Sequence, residues 1–326
     1  MIIITGATGF IGSCLQAALA KLKEETVIID WLGSDNKWRN IANHIPNAVI
    51  APENLDSFLD QVHDLTAIIH LGAISETTAR DGDLVWKTNV ELSTKLWRWC
   101  AENQVRFIYA SSAATYGGAN RPEDFRDAPE YISHLKPLNL YGWSKHVFDT
   151  YIQRWLAEDD MTPPQWVGLK FFNVYGPNEY HKGKMISVVK VKFDEVNQGK
   201  PAQLFRSDQK GLADGMQARD FIWVGDVVDV ILWFLENPKV SGIYNCGTGK
   251  ARTYLDLAHA VCDALNVQRQ VDFIDMPASL IGQYQYFTQA DMTRLRQAGY
   301  TKEFTSLEEG VGQYIQDYLV KSDPYL

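Results

Sequence analysis

The feature that most restricts how this chain can fold lies at its start. The apolar run Ile2-Ile3-Ile4-Thr5 leads straight into Gly6-x-x-Gly9-x-x-Gly12, with a helical pattern behind it. A short β-branched run, three glycines at this spacing and then a helix predict the first strand–turn–helix unit of a parallel sheet. Glycine here permits a tight turn, close approach of the backbone to a pyrophosphate, and close packing of helix on strand. The unpaired N–H groups at the helix start then face the phosphates. A glycine triplet alone is weak evidence, because many are plain turns. Its weight comes from Asp30, which follows Gly12 by 18 positions at the end of the second strand-like run, where a carboxylate bonds a ribose hydroxyl. Asp30 by itself favours NAD, since its charge repels a 2′-phosphate. Lys37 and Arg39 follow closely and suit that phosphate instead, or are solvated surface charges.

The first half continues in the same alternation. Strands are predicted at Ile2–Thr5, Thr26–Asp30, Ala67–Leu71, Arg106–Ser111 and Trp166–Phe172, with helices over Ile11–Lys23, Leu84–Asn103 and Tyr141–Ala157 between them. After Asn173 the pattern loosens. A helix is expected over Lys182–Gly199, a short strand at Ala202–Phe205 and a polar loop over Ser207–Ala218. Phe221–Glu236 reads as strand, turn and helix, Gly242–Asn245 as a strand, and Leu307–Tyr318 as an amphipathic helix. The fold class is therefore α/β: a Rossmann-type, doubly wound parallel sheet with a smaller α/β C-terminal lobe for substrate. Residues 1–172 with about 219–240 form the nucleotide lobe; about 173–218 and 241–326 form the second, the chain crossing between them.

A net charge of −9 argues against nucleic acid or an anionic membrane as main partner, but not against a small anionic substrate in a local basic pocket. No apolar run reaches the roughly 20 residues of a membrane span. The start of the chain lacks a signal-like basic region, so a cytoplasmic location is the default expectation. Cys14, Cys100, Cys246 and Cys262 are scattered, without a C-x-x-C pair or a histidine at ligand spacing, and read as structural thiols with no metal site.

The second chemical constellation is Ser112, Tyr141 and Lys145. Tyr141 and Lys145 are i and i+4 on a predicted helix and share one face. An ammonium beside the phenol, with an oxidised nicotinamide nearby, lowers the phenol's pKa and makes it a usable base. Ser112 ends a strand at the edge of the sheet where ligands bind in such folds. A tyrosine–lysine pair at this spacing is common by chance; behind the glycine turn and a Ser111-Ser112 strand end it becomes specific.

Thr5–Gly12, His70-Leu71-Gly72-Ala73, Ser111–Gly117, Tyr141–Lys145 and Arg219-Asp220-Phe221 resemble the extended short-chain dehydrogenase/reductase superfamily. Narrower blocks resemble the ADP-L-glycero-D-manno-heptose 6-epimerase family: Ser111–Gly118, Lys136–Asn139, Phe171–Pro177 with His181-Lys182-Gly183, and Phe287–Asp291. The resemblance runs over almost the whole chain. It implies an isomerase that inverts C6 of the heptose in ADP-D-glycero-D-manno-heptose by transient oxidation and re-reduction. The cofactor would be tightly bound NADP, with NAD as the second choice. Lipopolysaccharide core heptose synthesis and a homo-oligomer, a pentamer, are implied too.

For the site, the resemblance implies Tyr141 and Lys182 as two proton-transfer groups, with Lys145 and Ser112 beside them. The cofactor would be held by Gly6, Gly9, Phe10, Ile11, Gly12, Asp30, Trp31, Lys37, Leu71, Gly72, Ala73, Ser75, Asn89, Lys145 and Val174. Substrate contacts would come from Ser112, Asn173, Lys182, Lys184, Phe205, Arg206, Ser207, Asp208, Arg219 and Tyr284. Read from residues alone, the basic loop around Lys182 equally suits substrate phosphates or plain solvent, and Arg219 equally suits a salt bridge to Asp220 or Asp226. The chain departs from the family pattern at Lys184 and Val191, where serine and histidine are expected, at Arg206, where an acid is common, and by extra length through Gly211–Gln217. A nucleotide-hexose 4-epimerase is the rival enzyme. Ala113-Ala114-Thr115 stands where 4,6-dehydratases carry an Asp-Glu pair, and a non-catalytic dinucleotide sensor has no need of Ser112, Tyr141 and Lys145 together.

Overall fold

The computed structural model describes residues 1–277 and 285–326. Its strands are β1 (Ile2–Thr5), β2 (Thr26–Ile29), β3 (Ala48–Ile50), β4 (Ala67–His70), β5 (Arg106–Ser112), β6 (Trp166–Phe171), β7 (Asn173–Tyr175), β8 (Ala202–Phe205), β9 (Ala218–Trp223), β10 (Gly242–Cys246), β11 (Ala251–Thr253) and β12 (Val271–Ile274). Among the described residues, seven strands form one sheet in the order β10-β6-β5-β4-β1-β2-β3, every neighbouring pair parallel. The order reverses between β1 and β4, the point at which such sheets open a crevice at the carboxyl ends of the strands.

Continuous apolar strands follow from burial on both faces. Ile2 and Ile4 pack with the helices Phe10–Lys21 and Val224–Glu236. Ile3, Phe107 and Tyr109 pack on the other face with Trp97, Phe148 and Trp155 from Leu92–Glu102 and Leu140–Ala157. Alternate side chains of one strand thus enter two separate cores. The second region holds a sheet β11-β9-β7 and a parallel pair β12-β8.

Several expectations need correcting. The strand Gly242–Cys246, placed in the second lobe, pairs with β6 at the edge of the large sheet, because its buried run continues that sheet's apolar layer. The strand Ala218–Trp223, placed with the nucleotide lobe from residue 219, pairs instead with β7 and β11. The helix expected from Lys182 begins at Val188, because the Ser187 hydroxyl caps it by accepting from the Lys190 N–H at 3.3 Å. Lys182 lies in a separate 3₁₀ turn, Tyr180–Met185, broken at Gly183 with φ of 52°. The single helix expected over Leu84–Asn103 is Gly82–Val85, a π-turn Trp86–Glu91 and Leu92–Glu102. The C-terminal helix likewise runs from Leu307 to Tyr314 before a π-turn, Ile315–Leu319. No helix among the described residues is long and apolar enough to cross a membrane.

Candidate active site

At the end of β1 the chain turns at Gly6, with φ of +70°, and the Gly9 N–H donates to Gly6 O at 3.1 Å. A Cβ on Gly6 would sit 2.5 Å from Gly72 Cα, and one on Gly12 2.5 Å from Gly6 O. These two positions therefore press the first turn against the loop after β4 and seat the helix Phe10–Lys21 on its strand. Gly9 is the N-cap residue and carries no capping side chain, so the first amides of that helix remain directed into the crevice. A glycine cradle ending in uncapped helix amides fits a dinucleotide pyrophosphate.

Asp30 is held by three donors: the Thr8 N–H and hydroxyl, at 3.0 and 2.5 Å, and the Trp31 N–H at 2.8 Å. Lys37 reaches to 3.6 Å from its carboxylate while donating to Trp31 O at 3.0 Å. Asp30 is thus fixed in place and its charge partly offset. Arg39, the other candidate for a 2′-phosphate, is taken up by Asp323 at 3.0 Å and lies over the Tyr325 ring at 4.4 Å. Trp31 is exposed, its indole N–H donating to Glu53 at 3.0 Å.

The loop Leu71–Ser75 is tied at both ends. The Gly72 N–H donates to the Thr5 hydroxyl at 3.1 Å. Further on, the buried Asn89 amide accepts from the Ile74 N–H and donates to Ile74 O, both at 2.9 Å, and donates to the Ser144 hydroxyl at 3.0 Å. That hydroxyl donates to Tyr141 O at 2.7 Å. Asn89, expected among the cofactor contacts, therefore clamps the post-β4 loop to the tyrosine helix. The π-turn that carries it is the kind of helix irregularity found near functional sites.

Ser112 ends β5. Its hydroxyl accepts from the Ala114 N–H at 3.1 Å, and its carbonyl accepts from the Thr115 hydroxyl at 2.8 Å. The helix Leu140–Ala157 starts against this turn, capped by Asn139, whose Oδ1 accepts from the Gly142 N–H at 2.8 Å. A Cβ on Gly142 would lie 2.6 Å from Ala114 O, so glycine lets Tyr141 come alongside Ser112. Ser112 lies beside the Tyr141 phenol. Burial pushes the Tyr141 phenol up, the Ser112 hydroxyl pulls it back, and the Asp149 charge adds to the rise. In the protein by itself burial is therefore the larger influence; the lowering expected from the lysine ammonium was tied to an oxidised nicotinamide beside it. Lys145, buried one helical turn on, is pushed down to about 8 by desolvation, against the attraction of Asp149.

Lys182 lies on the opposite flank, its ammonium 5.1 Å from the centre of the Phe10 ring at the start of the first helix. Burial lowers its pKa and the nearby Glu179 opposes that. Beside it, His181 Nδ1 is 3.1 Å from Asn40 Nδ2, and burial with Lys37 and Lys182 holds His181 down to about 4. Lys182, His181 and Lys37 thus gather beside the glycine turn. Sequence reasoning passed over Thr8, Asn40 and Asn178, the residues that tie this cluster together. Asn40 donates to Thr8 O at 2.9 Å, and Asn178 donates to the Ser13 hydroxyl at 3.0 Å and to Asn40 O at 3.2 Å. Their spacing in the chain carries no signal; only the packing of three loops joins them.

The expected substrate contacts are more dispersed. Asn173 and Val174 lie on β7, with the Asn173 amide oxygen accepting from the Thr288 hydroxyl at 3.3 Å. Buried Arg219 on β9 donates to Ala218 O at 3.0 Å and to Gln285 O. Asp220 accepts from the amides of Thr248, Gly249 and Ala290, and Asp226 from Thr305, so both carboxylates proposed as its partners are engaged elsewhere. Phe205 ends β8, Arg206 pairs with Asp214 and Asp275 at 3.4 Å each, the Ser207 N–H donates to Asp214, and Asp208 accepts from the Tyr286 hydroxyl. Lys184 and Val191 are both exposed. Tyr284 lies outside the described residues.

A parallel sheet, a glycine-turn dinucleotide cradle and a serine–tyrosine–lysine group at its carboxyl edge define a nicotinamide-dependent enzyme acting on a carbon that bears a hydroxyl. Residues 2–247 match the NAD dependent epimerase/dehydratase family, and the chain belongs to it. An ADP-L-glycero-D-manno-heptose-6-epimerase of Fusobacterium nucleatum is 44% identical over 100% of both chains. The crystal structure of the Helicobacter pylori ADP-L-glycero-D-manno-heptose-6-epimerase superposes with a TM-score of 0.78 at 28% identity, covering 97% of this chain and 95% of that one. Within its family the chain belongs with these heptose epimerases, an isomerase group. A UDP-N-acetylglucosamine 4-epimerase from Methanobrevibacter ruminantium has a TM-score of 0.81 at 23% identity, covering 97% and 96% of the two chains; it shares the fold.

Proposed function

We propose that the protein inverts C6 of the heptose in ADP-D-glycero-D-manno-heptose to give the L-glycero epimer. The observation that carries this reading is the full-length similarity to curated 6-epimerases at 44% identity, joined to a helix that starts Tyr141 against the turn after Ser112. NADP, when bound, supplies a hydride acceptor that becomes the donor and ends unchanged. Ser112 hydrogen-bonds the C6 oxygen. Tyr141, with Lys145 one helical turn on, takes the hydroxyl proton of one epimer, the ketone oxygen presented from the other face takes its proton from Lys182, and both groups then re-equilibrate with solvent. Lys182, held low by burial, serves as the second proton-transfer group. Between the two half-reactions the C6 ketone turns about the C5–C6 bond, so the sugar need not leave.

Lys37, rather than Arg39, is assigned to the cofactor's 2′-phosphate. It already lies beside Asp30, whereas Arg39 is engaged with Asp323 and Tyr325. Lys37→Gln is expected to weaken NADP about 10–100-fold, the worth of a charge-assisted hydrogen bond, while NAD binding barely changes. Fluorescence titration of both dinucleotides checks this; equal losses for both would remove the assignment. The product would enter lipopolysaccharide core heptose synthesis in the cytoplasm, and the working form would be a homo-oligomer.

The deciding experiment is incubation with ADP-D-glycero-D-manno-heptose and, separately, UDP-galactose, followed by proton NMR. Conversion of the first without net change in nicotinamide absorbance is the expected result. Turnover of UDP-galactose alone would establish a 4-epimerase instead.

A further inference from the structure

Behind the tyrosine helix lies an ion pair that the proposed chemistry does not use. Asp149 and Lys170 are wholly buried, and Lys170 Nζ donates to Asp149 Oδ2 at 2.5 Å. Asp149 also accepts from the Tyr109 hydroxyl at 2.8 Å and the Ser111 hydroxyl at 2.7 Å. Lys170 donates as well to the Thr115 hydroxyl at 2.8 Å and faces the Tyr116 ring at 5.4 Å. Each charge therefore has more than one hydrogen-bond partner, and the group joins β5, β6, the turn after Ser112 and the tyrosine helix. Removing two charges from water costs several kcal/mol per ion, and an apolar pair of similar size is often as stable or more so. Stability alone is a poor reason for this pair.

Position supplies a better one. Tyr141, Lys145 and Asp149 follow at intervals of four residues, so they line one face of one helix in that order. We propose that the buried Asp149–Lys170 pair is a positioning element that sets the pH range over which Tyr141 and Lys145 can pass a proton. This rests on the reading of Tyr141 and Lys145 as the proton-transfer pair. The carboxylate, fixed by Lys170 at 2.5 Å, favours the charged ammonium of Lys145 and disfavours the Tyr141 phenolate. The Asp149 charge thus raises both groups, the phenol and the ammonium. The other groups facing this face add no competing charge. His70 on β4 bonds Thr5 and Ser93 and is held down to about 3, hence neutral, and His146 on the same helix is also lowered by burial.

The sign of the effect follows. Without Asp149 the ammonium is less favoured, so Lys145 loses its proton at lower pH and the alkaline limb moves down. The phenolate is more favoured, so Tyr141 also loses its proton at lower pH and the acidic limb moves down with it. In Asp149→Asn, and in Asp149→Asn/Lys170→Met, which leaves no buried unpaired ion, the kcat/KM profile is expected to move to lower pH by about one unit. Lys170→Arg, which keeps the charge, should retain the original profile. A second reading needs no substrate: the ultraviolet phenolate signal present in the parent and missing from Tyr141→Phe should titrate at lower pH in the double variant. A uniform drop in activity with both limbs and the phenolate titration unmoved, or a shift to higher pH, would overturn the proposal. If the parent protein does not act on ADP-heptose, the functional reading falls, and the phenolate titration still decides this one.

Discussion

Tyr141→Phe is expected to lower epimerisation by roughly 10²–10⁴-fold, the usual worth of a positioned acid–base group, with NADP still bound. The phenol oxygen is the only atom removed. The ring keeps its place at the start of the helix Leu140–Ala157, where the Asn139 cap and the Ala114–Gly142 approach set the backbone. Lys182→Met should cost a similar factor through a different route, because its ammonium lies on the far flank of the crevice over Phe10. The two variants should differ in one measurable respect. Single-turnover reduction of bound NADP by each epimer separately should fail for one epimer in Tyr141→Phe and for the other in Lys182→Met. Near-normal turnover in both, with cofactor bound, would remove the two-base assignment. Slow turnover together with lost cofactor in Lys182→Met alone would make Lys182 a phosphate ligand, a role its neighbours His181 and Lys37 also suit.

Gly6→Ala should abolish cofactor retention and destabilise the fold. An alanine at φ of +70° costs about 1–2 kcal/mol of backbone strain. Its Cβ would also meet Gly72 Cα at 2.5 Å, and relieving such overpacking costs about 1–3 kcal/mol more. The atoms in the way are backbone, so no rotamer change relieves them. The loop that must retreat is the one Asn89 fastens to the tyrosine helix, so the strain reaches Ser112 and Tyr141 as well. Thermal unfolding with and without NADP measures both parts: a lower midpoint and a lost ligand-induced shift. An unchanged midpoint would mean that the turn relaxes without opening the crevice.

The sequence was most legible where function and local geometry coincide. Gly6 turns at positive φ and Gly12 lies against Gly6 O, reasons internal to one turn, and Tyr141 and Lys145 shared a face by helical spacing alone. The five strands expected in the first half ended within a residue of their predicted bounds, because parallel strands buried on both faces are continuous apolar runs, whereas the edge strand Ala48–Ile50, only partly buried, was not anticipated. Asp149 lay on the same four-residue register and was readable in principle. Its partner Lys170, on another strand, was not.

What tertiary structure alone decided concerns groups whose partners are distant in the chain. It made Asn89 a clamp, gave Arg39 to Asp323, and gathered Lys182 with His181 and Lys37 beside the glycine turn. It also moved the strand Gly242–Cys246 onto the large sheet. Periodicity and turn chemistry are set by neighbours a few residues away, so one sequence determined the cradle and the tyrosine–lysine pair. Burial and charge pairing are set by whichever residues packing brings within a few ångströms. For this protein only the packed structure decided which lysines are desolvated, which carboxylates are already engaged, and therefore which side chains are free to act.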